Sequence, residues 1–180
     1  ERYLRLFEKV RAALPDVAIR TTFIVGFPGE TEEEFQAVLD FVREARLDRV
    51  GAFTFSREPG TPSYDMPGQV PFRAKRERYD RVMRLQQTVS LERNKAWVGR
   101  DLRVLVDEAK EGWLAGRSFR DAPEIDGWVY ATGSASPGEF VEVRVERAEP
   151  YDLYGSQAGS SIPRSRALRP LRMAGSRAPL

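Results

Sequence analysis

The chain has 180 residues, of which 41% are hydrophobic and 31% charged, and its net charge is +2. This composition predicts one or two compact domains, and no apolar run approaches the roughly 18–20 residues of a membrane span. The absence of cysteine and histidine excludes disulfides, thiolate nucleophiles and serine–histidine triads, and it removes the commonest metal ligands from this segment. No signal peptide is visible and Met does not open the chain, so we expect it to start inside a longer protein.

Helical and strand patterns alternate in the first half of the chain. Apolar residues at helical spacing predict a helix over 2–14, and the β-branched run 17–25 predicts a strand buried on both faces. Thr31, with Glu34 three residues later, forms a capping box that begins the next helix. A second strand is predicted over 50–55. Strand, helix and strand in this order predict a right-handed βαβ unit with a parallel strand pair.

The middle of the chain is a loop followed by a long helix. Four prolines and two glycines predict an irregular loop over 57–71. The helix is predicted from Phe72 to Val98, with Gly99 as its C-cap. Its arginine-rich start is interpreted as a solvated face, with a bridge to the following domain as the alternative.

After the helix the pattern changes to period two. Short strands are predicted at 102–106, 113–119, 127–132 and 140–145, separated by Asp, Pro and Gly turns. They predict a small antiparallel barrel. The predicted domains are therefore an α/β domain over 1–98, an all-β barrel over 99–155 and a disordered basic tail over 156–180.

The turn Gly26–Thr31 has two interpretations. In the first, its glycines and proline only turn the chain from strand into helix. In the second, the glycines let the backbone approach a ligand at the carboxyl end of the strand, and Glu30 is the polar residue expected to face it.

Longer runs around this turn match a known family. Arg20–Thr31 (RTTFIVGFPGET), Phe53–Pro62 (FTFSREPGTP) and the Gln/Ser/Arg/Asn run over 86–99 resemble the radical S-adenosylmethionine methylthiotransferases. The small barrel resembles the C-terminal TRAM domain of that family. Gly116–Gly127 (GRSFRDAPEIDG) and Tyr151–Gly155 (YDLYG) are similar to the branch that modifies a small-subunit ribosomal protein.

The resemblance implies a fold and a reaction. Residues 1–98 would be the closing third of a partial (β/α) barrel, which works at the carboxyl ends of its strands. One [4Fe-4S] cluster would reduce S-adenosylmethionine to a hydrogen-abstracting radical, and a second would supply sulfur. A methylthio group would then be added to the β-carbon of an aspartate in the ribosomal protein. The cluster cysteines would lie outside these residues through truncation, or be missing from a degenerate homologue, so we expect this chain alone to bind no cluster and to be inactive.

The resemblance also implies where S-adenosylmethionine is held. The predicted cofactor-binding residues lie at the two strands and their ends: Arg20, Thr22, Gly26, Glu30, Ser56 and Arg57. An arginine at position 57 would hold the methionyl carboxylate through a bidentate pair. The alternative is that these residues are ordinary strand and turn positions. No catalytic or metal-ligating residue is predicted within the chain.

Charge favours a protein substrate over RNA. Residues 99–155 carry 7 basic and 12 acidic side chains, a net charge of −5, whereas an RNA-binding barrel is expected to be basic. We therefore predict that the barrel docks a basic ribosomal protein of the small subunit. The predicted contacts are aromatic anchors and acidic side chains: Trp113, Asp121, Glu124, Asp126 and Trp128. The alternative for the aromatic residues is that they fill a small core. Tyr130 is a further possible anchor.

Two other functions stay open at this point. One is the sister branch of the family, which modifies an adenosine in transfer RNA. The other is a non-catalytic TRAM-type recognition module that retains part of a barrel. We expect a cytoplasmic monomer with no membrane contact.

Overall fold

The structure is a computed structural model, and it describes residues 1–123 and 125–159. Contacts divide the chain into two units, the first being Glu1–Arg93 and the second beginning at Asn94. Among the described residues, no helix is both long and apolar enough to cross a membrane. Glu124 and residues 160–180 of the predicted tail over 156–180 lie outside the described residues, and the start of that tail, through Gln157, is strand rather than disordered.

The first unit is built on a βαβ arrangement. Its elements are α1 (Arg2–Ala13), β1 (Arg20–Val25), α2 (Glu32–Ala45), β2 (Arg49–Thr54), a 3-10 turn (Pro62–Tyr64) and α3 (Phe72–Lys95), whose last two residues fall in the second unit. Strands β1 and β2 are parallel and run in register from Arg20 opposite Arg49 to Val25 opposite Thr54. The predicted parallel pair is therefore confirmed, although β1 begins three residues later than predicted.

The predicted capping box begins α2. The Thr31 side chain accepts the Glu34 N–H at 3.1 Å, and the Glu34 carboxylate accepts the Thr31 N–H at 2.9 Å. Such reciprocal caps satisfy two of the otherwise unpaired donors of a first helical turn. The helix therefore starts immediately after the glycine turn that follows β1, which fixes where that turn lies.

Helices cover one face of the strand pair. Val25 and Ala52 point into a core with Phe35, Leu39 and Val82 from the helices. No helix of residues 1–123 and 125–159 covers the opposite face, and Ile24 and Phe53 remain 61% and 59% exposed there. A strand pair covered on one side only differs from the predicted strand buried on both faces.

The second unit is a closed five-stranded barrel. Its strands are β3 (Asp101–Lys110), β4 (Trp113–Ser118), β5 (Val129–Thr132), β6 (Phe140–Ala148) and β7 (Leu153–Gln157), hydrogen-bonded in the closed order β3-β4-β5-β7-β6. Alternate residues of all five fill its core, among them Val104, Leu114, Val129, Val143 and Leu153. The predicted barrel is present, but β7 extends beyond residue 155.

The barrel is not entirely antiparallel. Four strand pairs are antiparallel, and β5 and β7 are parallel. Strand direction cannot alternate around a closed ring of five, so one neighbouring pair has to be parallel. The sequence prediction contained only four strands and missed β7, and an all-antiparallel ring followed from that omission.

Gly116 allows two barrel strands to approach. A Cβ at this position would lie 2.1 Å from the Leu105 carbonyl oxygen of β3, which is too close for any side chain. Small barrels need such positions because the strands are tightly curved. The first residue of the GRSFRDAPEIDG run thus has a structural reason to be glycine.

Candidate functional site

The carboxyl ends of β1 and β2 lie side by side. The Phe55 N–H donates to the Val25 carbonyl at 2.8 Å, which extends the parallel pairing one residue past β2. Gly26 therefore leaves the sheet next to Phe55, and the two predicted segments Gly26–Glu30 and Ser56–Arg57 start from neighbouring strands. Ligand sites in α/β folds lie at this edge.

Two glycines shape the turn after β1. Gly26 and Gly29 have φ of +75° and +84°, a left-handed conformation that favours glycine. The Gly29 N–H donates to the Gly68 carbonyl at 2.9 Å, so that the loop between β2 and α3 is fastened to the turn. A Cβ at Gly26 would lie 2.4 Å from Cγ of Lys75, which crosses the turn at close range.

Glu30 is held by hydrogen bonds from other residues of the protein. Its two carboxylate oxygens accept the Gly26 N–H, each at 3.1 Å, and Oε1 accepts from Arg78 at 2.6 Å. Arg78 also donates to the Glu30 backbone carbonyl at 3.1 Å. Both side chains are nearly buried. Glu30 thus holds the turn closed, and its contact with a ligand stays a prediction.

Ser56 and Arg57 are exposed and are oriented by their own loop. The Ser56 hydroxyl donates to Glu58 at 2.6 Å. The Arg57 Nε–H donates to the Tyr64 carbonyl, and its guanidinium lies 4.2 Å from the centre of the Tyr64 ring. The arginine is therefore positioned at the strand ends while remaining accessible.

Arg20 and Thr22 lie on the face of the strand pair that has no helical layer. Both are exposed and alternate with Thr21 and Phe23, which are half-buried toward the helices. Ile24 continues the same row toward the carboxyl end. Thr22 shares a face with the exposed apolar residues, whereas Arg20 lies at the opposite, amino end of the strand.

Two basic side chains of α3, Lys75 and Arg78, reach the strand ends and were not among the predicted site residues. The Lys75 Nζ donates to the Phe55 carbonyl at 2.9 Å and lies 4.9 Å from the Phe55 ring centre. With Arg78, it directs positive charge onto the strand ends, so the interpretation of this helix start as a solvated face is wrong for these two residues. The sequence signal for this contact was Gly26, because a residue without a Cβ leaves room for the side chain of Lys75 to cross the turn.

In the barrel unit, two of the predicted substrate-binding residues form hydrogen bonds with neighbouring residues of their own loop. Asp121 accepts the Ser118 N–H at 3.1 Å and the Ser118 hydroxyl at 2.6 Å, and Asp126 accepts the Ala122 N–H at 2.8 Å. These bonds tie Asp121 and Asp126 to the backbone of their own chain segment. The predicted contact at Glu124 lies outside the described residues.

A cavity of about 210 Å³ opens beside this loop. Trp128 forms one wall, and its backbone N–H donates to the Asp152 carboxylate at 2.8 Å. Arg117 and Asp107 form another wall and are joined by two hydrogen bonds of 2.7 Å. The full lining is Asp107, Arg117, Ala122, Pro123, Asp126, Gly127 and Trp128. The structure thus brings two of the predicted contacts, Asp126 and Trp128, to one site.

The other predicted aromatics lie outside this cavity. Trp113 is half-buried at the start of β4, and Tyr130 stacks on Tyr154 with 5.3 Å between ring centres. Burial, aided by Asp152 and then Glu149, raises the pKa of Tyr154 to about 12. Burial also raises the pKa of Tyr130. Both phenols are held neutral in the folded barrel.

The chain is similar to known proteins over its barrel and over most of its length. The TRAM domain family matches residues 98–157. The chain is 52% identical over 164 residues to "Ribosomal protein uS12 methylthiotransferase RimO" of Roseiflexus castenholzii, covering 88% of this chain and 34% of that relative. Proteins of the same name from Chloroflexus aurantiacus and Salmonella heidelberg are each 52% identical, over 86% and 87% of this chain.

The chain spans about a third of the length of the curated relatives that it matches. The aligned 164 residues are longer than either unit, so the similarity to this relative includes residues of both units. The family resemblance carried by the motifs is therefore confirmed: most of the chain is similar to a segment of the proteins named ribosomal protein uS12 methylthiotransferase, and residues 98–157 match the TRAM domain family.

Proposed function

We propose that this chain is a piece of a radical S-adenosylmethionine methylthiotransferase that adds a methylthio group to an aspartate β-carbon of ribosomal protein uS12. The observation that carries the proposal is 52% identity over 88% of the chain to a relative named for modifying uS12. The relative's size supports the idea that these residues are one part of a larger enzyme. Such an enzyme would work in the cytoplasm, where ribosomes are made.

The first unit is proposed to be part of a partial (β/α) barrel. In such barrels, helices surround parallel strands, the inner strand face forms the barrel interior, and the site lies at the carboxyl ends of the strands. The β1–β2 pair has this character, because its helices lie on one face and its other face is exposed at Ile24 and Phe53. The rest of the barrel would cover that face.

S-adenosylmethionine fits the residues at this edge. Ile24 and Phe53 offer exposed apolar surface to the adenosine, with Thr22 as a polar neighbour. Arg57 is exposed at the end of β2, where a guanidinium is able to pair with the methionyl carboxylate. Glu30, Arg78 and Lys75 hold the strand ends in place for binding. When bound and reduced, this cofactor supplies the radical that abstracts hydrogen.

Iron–sulfur clusters do not fit the residues of this chain. Their ligands are cysteine thiolates, and the sequence has neither cysteine nor histidine. Across residues 1–123 and 125–159, no group of three acidic, cysteine or histidine side chains is arranged to hold a metal. The two [4Fe-4S] clusters of the proposed enzyme would therefore be ligated by residues outside this segment, and a cluster band after anaerobic reconstitution of the 180 residues alone would contradict this.

The charge of the TRAM domain supports a protein substrate. Residues 99–155 have a net charge of −5, which disfavours phosphate backbones and favours a basic ribosomal protein. Transfer RNA, the substrate of the sister branch, would need the opposite charge. The predicted contacts Trp113, Asp121, Glu124 and Asp126 belong to this surface, although Asp121 and Asp126 also cap their own loop.

Binding experiments separate the proposed function from its two alternatives. The 180-residue chain is titrated with uS12 and with transfer RNA at two salt concentrations, and each dissociation constant is measured. We expect salt-sensitive binding of uS12 and little binding of transfer RNA. Preference for transfer RNA would favour the sister branch. A coding sequence without a cysteine triplet upstream of these residues would favour a non-catalytic recognition module.

A further inference from the structure

The side chain of Lys75 passes across the turn that follows β1. A Cβ at Gly26 would lie 2.4 Å from Cγ of Lys75 and 3.2 Å from its Cβ and Cδ, so a residue other than glycine would collide with this side chain. The lysine is half-buried along this path. The turn is therefore shaped so that α3 delivers an ammonium group to the carboxyl ends of β1 and β2.

The ammonium group of Lys75 is held at the end of β2. It donates to the Phe55 carbonyl at 2.9 Å and lies 4.9 Å from the centre of the Phe55 ring. The ring of Phe27 packs edge-on against that of Phe55, with 5.2 Å between their centres. These rings replace water on one side of the ammonium, and a charge with less water around it interacts more strongly with a counterion.

Lys75 has hydrogen-bonding capacity for a further partner. An ammonium group has three N–H donors, and within residues 1–123 and 125–159 the Phe55 carbonyl accepts from one of them. The carboxylate of Glu30, which binds the same turn, is paired with Arg78 at 2.6 Å and does not depend on Lys75 as its counterion. Lys75 therefore presents positive charge at the strand ends, where α/β folds bind their ligands.

The groups around Lys75 indicate the chemistry of its ligand. An ammonium group forms its strongest hydrogen bonds with anions, and a carboxylate placed beside phenylalanine rings without a cation loses its hydration at a high cost. The proposed reaction brings two carboxylates to this edge. One belongs to the methionyl group of S-adenosylmethionine, and the other belongs to the aspartate whose β-carbon is modified.

We infer that Lys75 binds a carboxylate group at the carboxyl ends of β1 and β2. Its ammonium donates to a carboxylate oxygen, while the carbonyl and the ring of Phe55 hold the ammonium in place. Arg57, exposed two residues after Phe55, brings a second cation to the end of the same strand. The inference rests on the proposed function for the identity of the carboxylate, and on the contacts of Lys75 alone for the chemistry.

The first test uses the 180-residue chain labelled with ¹³C-lysine. Its other lysines, Lys9, Lys95 and Lys110, are exposed and serve as internal controls. The Cε resonances are followed while acetate or its neutral isostere acetamide is added at constant ionic strength. We expect the Lys75 resonance to shift saturably with acetate only, and the control resonances to shift little. Equal shifts at all four lysines, equal shifts with acetamide, or no saturable shift at Lys75 would overturn the inference.

Two charge-matched variants identify the source of the carboxylate. Residues 1–159 replace the matching segment of the Roseiflexus castenholzii relative, and Lys75→Met is compared with Arg73→Met, which removes the same charge from an exposed position of α3. If the ligand is the methionyl carboxylate, Lys75→Met should raise the Kd of S-adenosylmethionine at least about tenfold. If the ligand is the target aspartate, Lys75→Met should instead raise the KM for uS12 by that factor.

The control variant and the pattern of the two constants exclude a merely structural role. Arg73→Met should change neither constant. A general distortion of the strand ends would raise both constants in Lys75→Met, and that result, or no change in either constant, would overturn the inference.

The outcome is separable from that of the proposed function. A saturable acetate shift at Lys75 in a chain whose chimera does not methylthiolate uS12 would leave the carboxylate site intact and reject the proposed function. Modification of uS12 by the chimera without an acetate shift at Lys75 would reject the carboxylate site alone.

Discussion

Replacing Arg78 with methionine should destabilise the first unit strongly, because the guanidinium forms a close ion pair with the nearly buried Glu30. The pair is 2.6 Å apart, and its side chains are 10% and 13% exposed. Removing one partner of a buried ion pair leaves an uncompensated charge and costs about 3–5 kcal/mol. The Gly26 N–H still donates to Glu30 in the variant, so we expect a loss of about 3 kcal/mol in the free energy of unfolding.

The matched control is Arg84→Met. Arg84 lies on the same helix and is exposed, so its replacement should change stability by no more than about 0.5 kcal/mol. A second variant, Glu30→Gln, separates the charge from the shape of the turn. In the Glu30→Gln background, Arg78→Met should lower the free energy of unfolding by at least about 1 kcal/mol less than it does in the wild type, because no buried carboxylate is then left without its ion-pair partner.

Urea unfolding with two probes measures the effect. Circular dichroism at 222 nm follows α1, α2 and α3, which lie almost wholly in the first unit. Fluorescence of the three tryptophans follows the second unit, since Trp97, Trp113 and Trp128 all lie there. An Arg78→Met variant whose circular dichroism transition matches that of Arg84→Met would refute the role assigned to this ion pair.

Three further predictions concern single positions. Gly26→Ala should lower the free energy of unfolding by about 1 kcal/mol more than Gly29→Ala, because both have positive φ but a Cβ collides with a neighbour only at Gly26; equal losses would contradict this. Tyr154 has a folded pKa of about 12 against about 10 unfolded, so its stabilisation is full below pH 10 and is lost as the pH rises to 12. Between pH 10 and pH 12, the free energy of unfolding of the wild type, measured by urea titration, should therefore fall by at most about 2 kcal/mol more than that of Tyr154→Phe. Parallel pH profiles of the two proteins would contradict this prediction. Asn94→Ala should cost about 2–3 kcal/mol, because the buried amide donates to two carbonyls at 2.9 and 3.2 Å, whereas the exposed neighbour Lys95→Ala should cost under about 0.5 kcal/mol; similar thermal midpoints for both would be the opposing result.

Local chemistry made much of the fold predictable. The capping box at Thr31 and the β-branched strands gave the βαβ unit, because caps and periodicity act over a few neighbouring residues. Strand β7 was missed, since Tyr154-Gly155-Ser156 has too few apolar residues to predict a strand by itself. Its place is decided by closure of the barrel, which is a property of the whole ring.

The turn after β1 was predictable, but its contacts were not. Glycines at positions 26 and 29 marked the place where the chain leaves the strand for the helix. Glu30 pairs with Arg78, which lies 48 positions along the chain. This pairing depends on how α3 packs, and no local sequence pattern encodes it. In the barrel, the spacing of Asp121 and Asp126 from their donors is local, and three- and four-residue offsets of this kind are a recognisable sign of loop capping.

The central claim is that these residues belong to an enzyme that methylthiolates uS12. A direct test replaces the matching segment of the Roseiflexus castenholzii relative with residues 1–159 of this chain and expresses the chimera with uS12 in cells that lack this modification. Mass spectrometry of uS12 should then show one hydrogen of an aspartate replaced by a methylthio group. A folded chimera that carries its clusters yet leaves uS12 unmodified, or modifies transfer RNA instead, would contradict the claim.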